Sequence, residues 1–179
     1  LTQVTRSLPY KLVCYLIFSA FCILGTYFGL RVENSIANTR AIGAVLGGIV
    51  GGPLVGLLVG FTGGLHRYSM GGFTALACMF STVCEGLVGG LVHTYFVRQR
   101  RMEQLFNPWV VGTVALVCEV VQMAIILLVA RPYEDALHLV RNIAAPMLIA
   151  NSVGAAMFMA MILDKRAMLE KYSVAFSAR

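Results

Sequence analysis

Five long apolar stretches, nearly free of charge, leave this chain nowhere to fold but in a membrane. Residues 12–30, 41–65 and 142–163 contain no Asp, Glu, Lys or Arg, residues 68–92 contain only Glu85, and residues 104–130 only Glu119. A helix of about 20 apolar residues crosses a hydrocarbon core, so every stretch qualifies. Only 12% of the 179 residues are charged, against about 25% in ordinary soluble proteins, and mean hydropathy is +0.81. A soluble globular fold is excluded. An all-α membrane bundle is expected, with the lipid bilayer as its solvent.

The net charge of +6 does not signal nucleic acid, because the 14 Lys and Arg residues sit in short groups beside apolar stretches instead of lining one face. These groups are Arg6 and Lys11; Arg31 and Arg40; Arg67; Arg98, Arg100 and Arg101; Arg131 and Arg141; and Lys165, Arg166, Lys171 and Arg179. Cys14, Cys22, Cys78, Cys84 and Cys118 all lie inside apolar stretches without CxxC spacing. Neither a metal site nor a disulfide framework is expected. The polar decapeptide before the first apolar run, and the lack of a small-residue cleavage site, argue against a signal peptide. The chain opens at Leu1 without Met. An excised piece is expected, with an earlier membrane helix and further basic tail lying outside it.

Fourteen of the 18 glycines fall between Gly43 and Gly90, several at intervals of four. Small residues at that spacing let membrane helices touch. At the midpoint of residues 41–65, Gly51-Gly52-Pro53 opposes a straight helix. Either one kinked helix spans here, or two short helices form a tight hairpin. Charge counting gives nine cations against five in both cases, with the C-terminal tail in the cytoplasm. The hairpin version predicts about six membrane-embedded helices, near residues 10–30, 34–50, 53–66, 72–97, 108–131 and 143–165. The tail beyond Asp164 is expected to continue as a helix, since Lys165 to Phe176 contains good helix formers and neither Gly nor Pro.

Asn38-Thr39-Arg40 and His66-Arg67-Tyr68-Ser69 fall in outward loops. A hairpin would bring Arg40 and Arg67 to one side, where two guanidinium forks make a carboxylate or phosphate clamp. The alternative is a pair of interfacial anchors meeting lipid headgroups. Thr74, Cys78, Ser81 and Glu85 are spaced to share one face of the following helix. Glu119 and Gln122 likewise share a face, and Asn151-Ser152 adds polarity to the last span. Intramembrane Glu85 and Glu119 are functional candidates by default, although helix-to-helix hydrogen bonding uses the same residue types. A carboxylate repels an anionic ligand, so Glu85 is expected to be structural or signal-relaying. GxxxxGK[ST], HExxH and GxSxG motifs are all missing. No catalytic residue is expected. His66, His93 and His138 share no metal spacing.

The blocks Asn38-Thr39-Arg40, Gly51-Gly52-Pro53, Gly63-Gly64-Leu65-His66-Arg67 and Gly71-Gly72-Phe73-Thr74-Ala75, in that order, resemble the LytS-type five-transmembrane receptor domain of bacterial sensor histidine kinases. The similarity runs through Arg131-Pro132 to Leu163-Asp164-Lys165-Arg166, and is strongest to pyruvate-sensing members. It implies a multi-pass domain of the bacterial inner membrane over residues 1–165, sensing extracellular pyruvate or a similar small 2-oxo acid. Residues 166–179 would begin a cytoplasmic signalling linker helix. It further implies a homodimer, with a GAF-like domain and an ATP-using kinase domain outside this chain that phosphorylates a LytTR-type response regulator. By motif, the ligand residues carry over to Arg40, Arg67, Cys78 and Ser81, with Asn38, His66, Thr74, Glu85 and Glu119 as pocket or relay candidates. A looser likeness, to the vitamin-binding subunits of energy-coupling-factor transporters, keeps solute capture for transport as the alternative function.

Overall fold

The computed structural model describes residues 7–32 and 35–177; Arg6 and Arg179 of the basic groups lie outside the described residues. The chain forms an antiparallel helical bundle: α1 (Leu8–Tyr27), a ribbon of β1 (Leu30–Val32) and β2 (Ser35–Ala37), α2 (Arg40–Gly51), α3 (Pro53–Ser69), α4 (Ala75–Arg98), the single turn α5 (Met102–Leu105), α6 (Pro108–Val129) and α7 (Tyr133–Ser177). Helices α1, α4, α6 and α7 are each long and apolar enough to cross a membrane. Between α1 and α4, α2 and α3 form the Gly-Pro hairpin.

Helix α2 is the central column. Every residue from Arg40 to Ile49 is buried, and α1, α3, α4, α6 and α7 all pack against it. The outer helices turn their large apolar side chains outward: Leu16 and Ile17 on α1, Leu57 and Phe61 on α3, Val117 and Val120 on α6 are exposed. Polar groups instead gather inside, with Arg40, Arg67, Thr82, Glu85, Glu119 and Asn151 all buried. A chain that shows apolar surface and hides its charges is using lipid as solvent.

The hairpin turns at Gly52, whose φ of 88° suits glycine, and Pro53 opens α3, where a missing amide costs nothing. Proline does remove the donor that would have served the Ile49 carbonyl one turn earlier. His93 of α4 replaces it, its Nδ1 donating to Ile49 O at 2.7 Å, while Tyr10 of α1 donates to Val50 O at 3.3 Å. His93 is therefore part of the hairpin's support. Along the arms, glycine faces glycine: a Cβ on Gly56 would collide with the Gly86 carbonyl and a Cβ on Gly86 with the Gly56 carbonyl. Backbones approach this closely only where neither side chain exists.

Two boundaries depart from the sequence reading. The second helix begins at Arg40 and not at residue 34, because residues 30–32 and 35–37 pair as antiparallel strands with Leu30 opposite Ala37. The last helix begins at Tyr133, ten residues before the expected start at 143, and runs through Pro146 to Ser177. Ala136, Leu139 and Ile143, spaced three and four apart, are buried. They give a segment that looked like a charged loop a helical apolar stripe.

Basic residues divide between the two ends of the bundle. Lys11, Arg98, Arg100 and Arg101 lie at one end of the bundle, toward which α7 descends, while Arg40, Arg67 and Arg131 lie at the other. By the positive-inside rule the first end is cytoplasmic. Arg40 and Arg67 thus belong to the outer half.

Candidate functional site

Arg40 opens α2 and Arg67 sits in the last turn of α3, so the hairpin returns them to the same end. Both are 0% exposed. Neither is an interfacial anchor; the loops assumed to carry them are helix ends packed into the bundle. Gly63 lies beside the Arg40 stem and lets α3 close onto Cys22, whose Cβ would lie 2.8 Å from a Cβ added there. The two guanidinium groups are near enough to interact electrostatically, and the Cys78 thiol adjoins that of Arg67.

Their hydrogen bonding is unequal. Arg67 donates from Nη1 to the Gly71 carbonyl at 2.7 Å and from Nη2 to Thr74 Oγ1 at 3.2 Å, tying down the connection to α4. Arg40 donates from Nε to Thr82 Oγ1 at 2.6 Å, but both of its terminal nitrogens are buried without a partner. Thr82 can receive that bond because its own hydroxyl proton goes to Cys78 O at 2.7 Å. The backbone N–H of Arg40 is capped by Asn38 Oδ1 at 3.2 Å.

Around this pair lie groups from three helices, α4, α6 and α7. Ser81 of α4 donates to Cys78 O at 3.0 Å and reaches Gln122 Oε1 of α6 at 3.4 Å. Glu85 and Glu119 interact electrostatically with each other and with Arg40. Both oxygens of Glu85 and the Oε2 of Glu119 have no hydrogen-bond partner. Asn151 of α7 donates from Nδ2 to Glu119 Oε1 at 2.5 Å and to the Asn38 carbonyl at 3.2 Å. Burying a guanidinium whose fork is unfilled costs several kcal/mol. An arriving carboxylate would satisfy it.

Of the sequence candidates, Arg40, Arg67, Cys78, Ser81, Asn38, Thr74, Glu85 and Glu119 come together in this buried cluster. His66 does not: it packs on Tyr27 with ring centroids 5.2 Å apart, its Nε2 lying 3.4 Å from the Tyr27 hydroxyl. Thr82 was missed, although it lies one turn beyond Cys78 on the face already singled out. Asn151 had been read only as polarity in the last span. Among the described residues no group of His, Cys, Asp and Glu could hold a metal ion.

The chain is 65% identical to the sensor histidine kinase BtsS of Escherichia coli strain K12 over 178 residues, 99% of this chain and 32% of that protein. It is 38% identical to the sensor protein LytS of Bacillus subtilis strain 168 over 85% of this chain and 28% of the relative. Against the sensor histidine kinase/phosphatase LytS of Staphylococcus aureus strain Mu50 the identity is 37%, over 77% of this chain and 23% of the relative. The chain spans about a third of the length of the curated relatives it matches first. No solved structure matches it. The family model described as the 5TMR of 5TMR-LYT matches residues 1–165, and the chain belongs to this family of multi-pass membrane sensor domains.

Proposed function

We propose that this domain receives a small 2-oxo acid such as pyruvate from outside the cell and signals its presence to a histidine kinase on the cytoplasmic side. The observation that carries the reading is the Arg40 guanidinium, fully buried with both terminal nitrogens unpartnered beside a second buried arginine. The ligand carboxylate would lie on the Arg40 fork, with Arg67 supplying further positive charge. Cys78 and Ser81 would meet the 2-oxo group and the remaining polar edge. The kinase activity is part of the same proposal, supported by the sensor histidine kinase to which the chain is similar; a LytTR-type response regulator as its target and pairing of two copies belong to it through the family resemblance alone.

Calorimetric titration of pyruvate into the purified domain tests it. Hydrogen bonds to charged groups are worth about 1.5–3 kcal/mol, so Arg40→Ala and Arg67→Ala should each weaken binding about tenfold or more. Arg67→Lys keeps the charge without the planar fork and should recover only part of the loss. Unchanged affinity in both alanine variants would remove the arginine site.

A further inference from the structure

We infer that Asn151 is the positioning residue through which filling of the arginine site is felt by α7. The inference rests on the ligand reading above and adds how occupancy leaves the site. Asn151 is 0% exposed and its amide joins three elements, donating to the Asn38 carbonyl at the mouth of α2 and to Glu119 on α6 from its own place on α7. Asn38 in turn caps the Arg40 amide, and Glu119 lies in the field of the Arg40 guanidinium. Both links therefore lead back to the same arginine. A carboxylate ligand on Arg40 offsets the positive charge that faces Glu119, and so changes how strongly Glu119 holds its hydrogen-bond donor, Asn151.

Two further features leave α7 free to respond. The Asn151 Oδ1 and the Glu119 Oε2 have no partner, so the junction has unused hydrogen-bonding capacity for a second arrangement. On its outer side Asn151 borders a cavity of about 290 Å³, lined also by Phe28, Asn38, Thr39, Pro146 and Met147. The cavity leaves one side of α7 without packed neighbours at this height. Pro146, five residues before Asn151 in the same helix, withholds one backbone hydrogen bond and gives α7 a natural bending point.

The chain carries its own reporter. Trp109, the single tryptophan, stands at the cytoplasmic end of α6 and lines a groove with Ser152, Val153 and Ala156 of α7. A shift of α7 below Asn151 changes the surroundings of its indole. Pyruvate should bind wild-type protein with a saturable change in tryptophan emission that follows the calorimetric isotherm. Asn151→Ala should bind within about threefold of wild type and lose most of the emission change. Should that variant fail to fold, Asn151→Ser keeps a single hydroxyl proton that cannot serve both Glu119 and the Asn38 carbonyl; it should bind and lose most of the emission change. A full emission change in either variant, or binding without any change in wild type, overturns the coupling alone. Absence of binding by wild type overturns the arginine reading, and the coupling with it.

Discussion

Arg40 holds one bond through its side chain, from Nε to Thr82, and the terminal nitrogens of its fork meet no protein acceptor. The hydroxyl of Thr82 fixes where that fork points. Thr82→Val keeps the shape and removes the acceptor, so it should weaken pyruvate binding several-fold in the same calorimetric titration, since a bond to a charged group worth about 1.5–3 kcal/mol no longer holds the fork in place. Thr82→Ser should restore it; a serine variant as weak as valine would mean that Thr82 only packs. Spacing in the sequence put Cys78 and Ser81 on one helix face with Thr74 and Glu85, and paired Arg40 with Arg67 if a hairpin formed; the family resemblance then singled out Arg40, Arg67, Cys78 and Ser81. It did not select Thr82, which shares the face equally. Which of two adjacent hydroxyls meets a guanidinium depends on where α2 begins, and the paired strands at residues 30–32 and 35–37 set that start.

At the scale of elements, the hairpin stands on two devices: glycine contacts along its arms and side-chain caps at its tip. Gly86→Ala or Gly56→Ala drives a methyl group into a backbone carbonyl that has no way to yield, so each should cost about 1–3 kcal/mol or more and lower the melting temperature in detergent. His93→Phe leaves the Ile49 carbonyl without its replacement donor, a loss of about 1–3 kcal/mol for a buried group. If thermal unfolding of the phenylalanine variant matched wild type, the cap would be dispensable. The hairpin was legible from Gly51-Gly52-Pro53, but its support by His93 was not, since the histidine is distant in sequence and meets the Ile49 carbonyl only through the packing of α4 on α2. The early start of α7 was obscured by Glu134, Asp135, His138 and Arg141. These charges mark the outward side of an amphipathic turn as readily as they mark a loop.

For the whole molecule, orientation and reach are the testable properties. A membrane-impermeant thiol reagent added to intact cells should label Ser69→Cys, at the outer end, and not Arg100→Cys, at the inner end; the reverse pattern would invert the domain. Both positions are exposed, whereas Cys14, Cys22, Cys78 and Cys118 are buried. Reach follows from α7. From Pro146 to Ser177 the helix continues for 31 residues, about 46 Å at 1.5 Å per residue, longer than the bilayer core of about 30 Å. A straight rod of that length is a lever. Tilting it about 5° at the proline would sweep its far end through about 4 Å by the same helix geometry, enough to exchange one set of side-chain neighbours for another. A sub-ångström adjustment of one buried amide then suffices at the short end, with Pro146 as the fulcrum.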